Sequence, residues 1–419
     1  MDYEQVDEVF STLLTRGFIQ QVSNENALKS KLNEGELTFY YGIDPTGPSL
    51  HVGNLVGLLA MSHLQRAGHK AVLLIGGATA RIGDPSDKDE MRRILPIETI
   101  AENADLMKKQ VGRFIDLEST VIVDNSQWLS DLSYLEFLRE IGRHFSVNRM
   151  IGFETYKRRL KKGLSFLEFN YLLLQAYDFL TLYKRYGCLL QIGGDDQWAN
   201  MISGVDLIRR VEHIESYAFT WPLITMSDGK KMGKTAEGSV FLDADLVSPY
   251  DFYQYWINIP DDDVFRLLSL LTFLPKEKMS EYEEIQGKEF NYLKEILAYE
   301  LTSLVHGEEE AKRSKSVSKS LFGGEQRSRE GMPSGNLDYK ELENGIAIID
   351  LFIKSALCSS KSEARRLIKQ GGAKVNSKTC TNTDEIFSLN DLVNNEIILR
   401  AGKKRWFCFR VGINSMTTH

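Results

Sequence analysis

With 419 residues and a 42% hydrophobic content, the chain is long enough for one large core and one or two smaller modules. It has no run of eighteen apolar residues, and the start Met1-Asp2-Tyr3-Glu4 lacks the basic and then apolar stretch of a secretory signal, so no membrane-spanning helix and a cytoplasmic protein are expected. A formal charge of -7 would argue against a nucleic-acid partner, but residues 341–419 hold twelve Lys and Arg against eight Asp and Glu, so a basic tail module follows an acidic body.

In chain order, apolar β-branched-rich runs at Leu37–Ile43, Ala71–Ile75, Thr120–Val123 and Cys188–Ile192 alternate with helical patterns such as Leu55–Arg66 and Tyr134–Arg143. This alternation predicts an α/β fold, a Rossmann-like doubly wound parallel sheet, over residues 1–248. Each run ends in Gly- or Asp-rich sequence: Asp44-Pro45-Thr46-Gly47, Gly76-Gly77-Ala78-Thr79, Asp124-Asn125 and Gly193-Gly194-Asp195-Asp196. Those ends are where open α/β sheets bind ligands.

A helical domain is predicted for 249–322, with Phe265–Leu274 and Tyr292–Val305 as its clearest segments. Residues 323–340 read as a Gly/Ser-rich flexible linker, 341–411 as a small α+β domain and 412–419 as a tail. The cysteines Cys188, Cys358, Cys380 and Cys408 are far apart and fit no zinc spacing, so buried thiols are expected.

After the first strand, His51-Val52-Gly53-Asn54 opens a helix whose first N–H groups and dipole suit an anion. Gly53 lets a flat base approach, and His51 and Asn54 lie on one face of the first turn. Much later comes the lysine-rich turn Met226-Ser227-Asp228-Gly229-Lys230-Lys231-Met232-Gly233-Lys234-Thr235. Either segment alone reads more readily as a polar helix start or a solvated loop. Together, in this order and separated by a full α/β domain, they resemble the two signature motifs of class I aminoacyl-tRNA synthetases. Asn54 stands where the family has a second histidine, and Gly233-Lys234-Thr235 where it has Ser-Lys-Ser; an amide and a hydroxyl keep the hydrogen-bonding capacity.

Ser165-x-x-Glu168 is a capping box opening a helix on which Tyr171, Gln175 and Asp178 fall on one stripe, bounded by Leu167 and Leu182. A polar stretch inside so hydrophobic a helix points to an internal pocket. With Tyr40, Asp84 and Gln191-Ile192-Gly193-Gly194-Asp195-Asp196-Gln197-Trp198, this helix looks like that of the bacterial tyrosyl-tRNA synthetases, a similarity spanning nearly the whole chain.

The resemblance implies that Tyr40 and Asp178 bind the phenolic hydroxyl of tyrosine and that Asp84, Tyr171 and Gln175 hold its α-amino group. Gln191, Gly194, Asp196 and Gln197 would surround the tyrosine and the ribose, with Asp44, Gly53 and Thr79 near the adenylate. Thr46, His51, Asn54, Lys88, Arg92, Lys231, Lys234 and Thr235 would position ATP and neutralise its phosphates. Magnesium is expected to arrive with ATP rather than in a metal site built by the protein. A homodimer is implied as well.

In the tail module, Ser360-x-x-Glu363 caps a helix closed by Gly371-Gly372. Lys361, Arg365, Arg366 and Lys369 lie on one face and Ala364, Leu367 and Ile368 on the other. The module resembles the RNA-binding domain of a small-subunit ribosomal protein, with tRNA as its partner. Three other readings stay open on sequence: a tryptophanyl enzyme, an RNA-binding protein on an inactive synthetase body, and a small-molecule nucleotidyltransferase.

Overall fold

A computed structural model describes residues 9–86, 95–227, 232–235, 238–285, 290–322, 333–376, 378–393, 396–402 and 405–411. Six strands build the first sheet: β1 (Gln21–Val22), β2 (Thr38–Ile43), β3 (Lys70–Ile75), β4 (Thr120–Asp124), β5 (Leu190–Gly194) and β6 (Tyr217–Trp221), in the order β1-β6-β5-β2-β3-β4. All pairs are parallel except β1 with β6 at the edge. β3 is buried from Ala71 to Ile75, as an apolar strand covered on both faces must be. The chain builds from β2 through β3 to β4, then returns to the other side of β2 to add β5 and β6. Strand order therefore reverses between β2 and β5, and a crevice opens beyond their carboxyl ends.

Three of the four predicted strands fall where the sequence puts them. The fourth is shifted: it runs Leu190–Gly194, so Gly193 and Gly194 belong to the strand, and Cys188 precedes it. β1 and β6 were not anticipated; of the two only β1, at two residues, is too short to carry a pattern. The Tyr134–Arg143 helix splits into Tyr134–Glu140 and a 3-10 turn at Gly142–His144.

Among the described residues, the helical segment expected as a separate domain at 249–322 shows no core of its own up to His306. Phe252 and Trp256 of helix Pro249–Ile257, Leu267 of Asp261–Leu271 and Leu297 of Phe290–His306 bury themselves in the same cluster as Leu55, Leu58 and Leu59 of helix Val52–Arg66. The physical reason is that Val52–Arg66 is apolar nearly all round, and its second face needs cover. The chain divides instead into compact units 1–312 and 313–419.

The second unit carries a five-stranded sheet in the order Lys378–Cys380, Ala373–Val375, Glu396–Ala401, Arg405–Val411, Ser334–Leu337. Its last pair is parallel. Ser334–Leu337 thus corrects the predicted linker 323–340: its backbone completes the edge of this sheet, and Leu337 joins the core with Phe352, Ile368 and Phe409. Residues 323–332 and the tail 412–419 lie outside the described residues. Helix Lys361–Lys369 buries Ala364 and Ile368 and exposes Lys361, Arg365, Arg366 and Lys369. Its cap is half the predicted box: Ser360 accepts from the Glu363 N–H, while the Glu363 carboxylate turns to Ser359. All four cysteines are buried free thiols.

Candidate active site

The crevice between β2 and β5 is a cavity of about 770 Å³. Of the predicted residues, Tyr40, Asp44, Thr46, His51, Gly53, Asn54, Thr79, Asp84, Tyr171, Gln175, Asp178, Gln191, Gly194, Asp196 and Gln197 all line it. Tyr171, Gln175 and Asp178 reach it from helix Phe166–Tyr186, whose capping box forms as predicted and whose Glu168 also pairs with buried Arg159 at 2.6 Å. The upstream bound of the stripe differs from expectation: Leu167 is 38% exposed, because it lies in the first turn, beyond the rim of the cavity.

The nucleotide side is set by how helix Val52–Arg66 begins. His51 is its N-cap, accepting from the Gly53 N–H at 3.0 Å through Nδ1, while Asn54 Oδ1 accepts from the His51 N–H at 3.1 Å. Two donors are thus satisfied within the turn. A Cβ on Gly53 would stand 2.8 Å from the His51 ring, so glycine is required here by the cap itself.

A continuous hydrogen-bonded chain runs along one wall of the cavity and is backed by Asn125 and Trp128. Tyr171 donates to Asp44 Oδ2 at 2.7 Å, Thr79 Oγ1 donates to Asp44 Oδ1 at 2.7 Å, and Asn125 Nδ2 donates both to Thr79 and to Asp178 Oδ2 at 2.9 Å. Trp128 donates its indole N–H to Asp178 Oδ1 at 2.7 Å. The chain needs Gly76, where a Cβ would lie 1.8 Å from Asp44 Oδ1.

A second network holds the opposite wall. Gln197 donates to Asp84 at 2.6 Å, and Asn200 donates to the side-chain oxygens of Gln175 and Gln197 at 3.0 and 3.2 Å.

At the bottom, the fully buried Tyr40 hydroxyl and Gln191 Oε1 have no hydrogen-bond partner among the described residues. Burial, then the nearby Asp178 charge, raises the Tyr40 phenol well above its ordinary value. Burial pushes Asp178 up to about 7 against the pull of Asn125 and Trp128. Unpaired buried polar atoms are costly, and two of them converging with a carboxylate on one cavity form a site awaiting a hydrogen-bonding group.

The segment after the lysine turn is tied to the same helix start. Val52 N–H donates to Val240 O at 3.2 Å, Leu242 N–H donates to Leu50 O at 2.8 Å, and His51 bridges Phe241. Gly233, at φ +75, lies so close to Val52 that a Cβ would meet its side chain at 3.3 Å. The Lys234 and Thr235 backbone pairs with Ser239 and Gly238. Lys88, Arg92 and Lys231 lie outside the described residues.

Sequence reasoning missed Asn125, Trp128 and Asn200 as partners of site residues. Asn125 alone carried a signal, at the end of a predicted strand. It also missed Tyr41, which lines the cavity and packs edge-on against Trp221; its ring fills the room left by Gly57, where a Cβ would come within 2.4 Å.

Doubly wound sheet, capped helix start and tethered lysine segment together define a class I aminoacyl-tRNA synthetase. In agreement, the family model described as tRNA synthetases class I (W and Y) matches residues 32–323, and one described as the tyrosine–tRNA ligase SYY-like C-terminal domain matches 325–409. The tyrosine–tRNA ligase of Acetivibrio thermocellus is 49% identical over 403 residues, covering 96% of this chain and 98% of its own. That of Treponema denticola is 48% identical over 404 residues, with the same coverage. Among solved structures, a C-terminally truncated mitochondrial tyrosyl-tRNA synthetase from Aspergillus nidulans superposes with a TM-score of 0.68 at 29% identity, over 75% of this chain and 94% of its own. The chain belongs to the tyrosine–tRNA ligase family. Its activity is accordingly the activation of tyrosine by ATP and transfer of the tyrosyl group to tRNA.

Proposed function

We propose that the cavity divides the work of this reaction into a phenol end, an ammonium wall and a phosphate mouth. Tyr40 and Asp178, with Gln191 beside them, take the phenolic hydroxyl; Asp84, Tyr171 and Gln175 take the α-ammonium. Asp44, Thr79, Gly194, Asp196 and Gln197 surround the ribose and adenylate. Thr46, His51, Gly53 and Asn54 receive the nucleotide at the helix start, with Lys88, Arg92, Lys231, Lys234 and Thr235 on the phosphates. The observation that carries this reading is the unpartnered Tyr40 hydroxyl, buried in the same cavity as the capped helix start.

The tyrosine carboxylate is itself the nucleophile toward the α-phosphorus, and pyrophosphate leaves. The terminal ribose hydroxyl of tRNA then attacks the resulting anhydride and AMP departs. No side-chain nucleophile is needed, so the protein's contribution is alignment and charge neutralisation. Magnesium enters with ATP on phosphate oxygens.

In the second unit, Lys361, Arg365, Arg366 and Lys369 supply phosphate contacts to tRNA. The enzyme works in the cytoplasm as a homodimer, a state favoured by Leu135, Phe166 and Val147, which are 77, 70 and 59% exposed in the single chain. Among the described residues no helix is long and apolar enough to cross a membrane.

Pyrophosphate exchange separates the two substrates. Asp84→Ala is expected to raise KM for tyrosine and leave KM for ATP, whereas His51→Ala should act on ATP and spare tyrosine. The crossed pattern would overturn the assignment.

A further inference from the structure

The loop from Asp44 to His51 joins β2 to helix Val52–Arg66 and carries Thr46, yet it is not held by its own turn chemistry alone. It is gripped from outside by helix Ile97–Val111. Asn103, 7% exposed, donates its amide to Pro45 O at 3.1 Å. Gln110, 8% exposed and two turns further on the same face, accepts through Oε1 from both Ser49 Oγ and the Leu50 N–H, each at 3.1 Å.

The other end of the Gln110 amide points elsewhere. Its Nε2 donates at 3.2 Å to Asp243 Oδ2, in the segment that returns from the lysine turn, and Asp243 Oδ1 accepts the Asp245 N–H at 2.9 Å. One buried side chain therefore binds both strands of the crossing at which Leu242 pairs with Leu50 and Val240 with Val52. Buried amides with both ends satisfied fix geometry more firmly than apolar contacts, because losing either partner leaves a desolvated polar group behind.

We infer that Gln110 is a positioning residue for the nucleotide half of the reaction: it sets the entry to the His51 helix start and the return of the lysine segment in a single register. Gln110 lines no part of the cavity, so it acts through the backbone at Leu50 and the carboxylate of Asp243. The inference rests on the assignment of Thr46 and His51 to ATP.

The hydrogen-bond polarity supplies the test. Gln110→Glu keeps the acceptor for Ser49 and Leu50 but sets a carboxylate against Asp243. Asp243→Asn alone sets an amide against the Gln110 amide, while keeping an oxygen for Asp245. The double variant restores every bond with polarity reversed at one contact: the amide introduced by Asp243→Asn donates to the carboxylate introduced by Gln110→Glu.

In pyrophosphate exchange, each single variant is expected to raise KM for ATP roughly tenfold, the effect of one lost buried hydrogen bond, with KM for tyrosine changed less than about twofold. The double variant returns to within about threefold of the parent. A double variant no better than either single, or a rise in KM for tyrosine equal to that for ATP, overturns the inference. His51→Ala serves as control: if it leaves KM for ATP unchanged, the nucleotide assignment itself is at fault, whatever the Gln110 variants do.

Discussion

Trp128 donates its indole N–H to Asp178 at 2.7 Å from fifty residues upstream in the chain. With Asn125 it partly offsets the burial that lifts the Asp178 carboxyl from an ordinary 3.8 to about 7. Because the folded value is the higher one, the neutral acid favours folding: that contribution is full below about 3.8 and is lost as pH rises through about 7. Binding runs the other way, since a phenol donates best to the ionised carboxylate. In Trp128→Phe the carboxyl loses a donor, and the acid limb of kcat/KM for tyrosine should move up by about one pH unit, a loss of about fivefold at pH 7 that approaches about tenfold below pH 6. The pH profile of pyrophosphate exchange checks this; an unmoved limb would separate Trp128 from the titration.

Tyr40 carries a buried hydroxyl with no hydrogen-bond partner among the described residues. Removing a buried, unpaired hydroxyl relieves a penalty of about 1–3 kcal/mol, so Tyr40→Phe is expected to leave the melting temperature unchanged or raise it. The same change should cut the preference for tyrosine over phenylalanine by roughly 10- to 100-fold, the worth of one buried hydrogen bond. Calorimetry and the ratio of kcat/KM for the two amino acids measure both. A fall in melting temperature with discrimination intact would make Tyr40 a packing residue.

The two compact units predict a separable loss. A chain ending at Phe322 should keep pyrophosphate exchange within about twofold, since the cavity lies wholly in the first unit. Tyrosylation of tRNA should fall more than about tenfold, and added salt should depress the full-length enzyme toward the same level. Equal loss of exchange and tyrosylation would mean that the second unit supports the first.

Much of the site was legible because its parts are local. Strand ends at Asp44, Thr79 and Gly194, the helix start at His51 and the stripe Tyr171, Gln175, Asp178 follow from periodicity and capping, which operate over a turn or two. The Phe166–Tyr186 helix even begins at its predicted cap. The strands β1 and β6 were not read, for two different reasons. Two residues hold too little pattern, so β1 becomes a strand only by pairing with β6, whereas Tyr217–Trp221 is as long as β4 and β5 and its aromatic run is a signal the sequence does carry.

The amino-acid sequence by itself determined the α/β order, the two signature segments and the polar stripe Tyr171, Gln175, Asp178, because those depend on neighbours along the chain; Tyr40, Asp84 and Gln191 were implied only by the family resemblance. Tertiary structure alone decided which carboxylates are held and by whom: Asp178 by Asn125 and Trp128, Asp84 by Gln197, and Asp243 by Gln110. It also decided that the helices from Pro249 to His306 share the core of the sheet. Hydrogen bonds across fifty or more residues, and the burial that shifts a pKa, exist only once distant segments are packed together, so no local pattern can announce them.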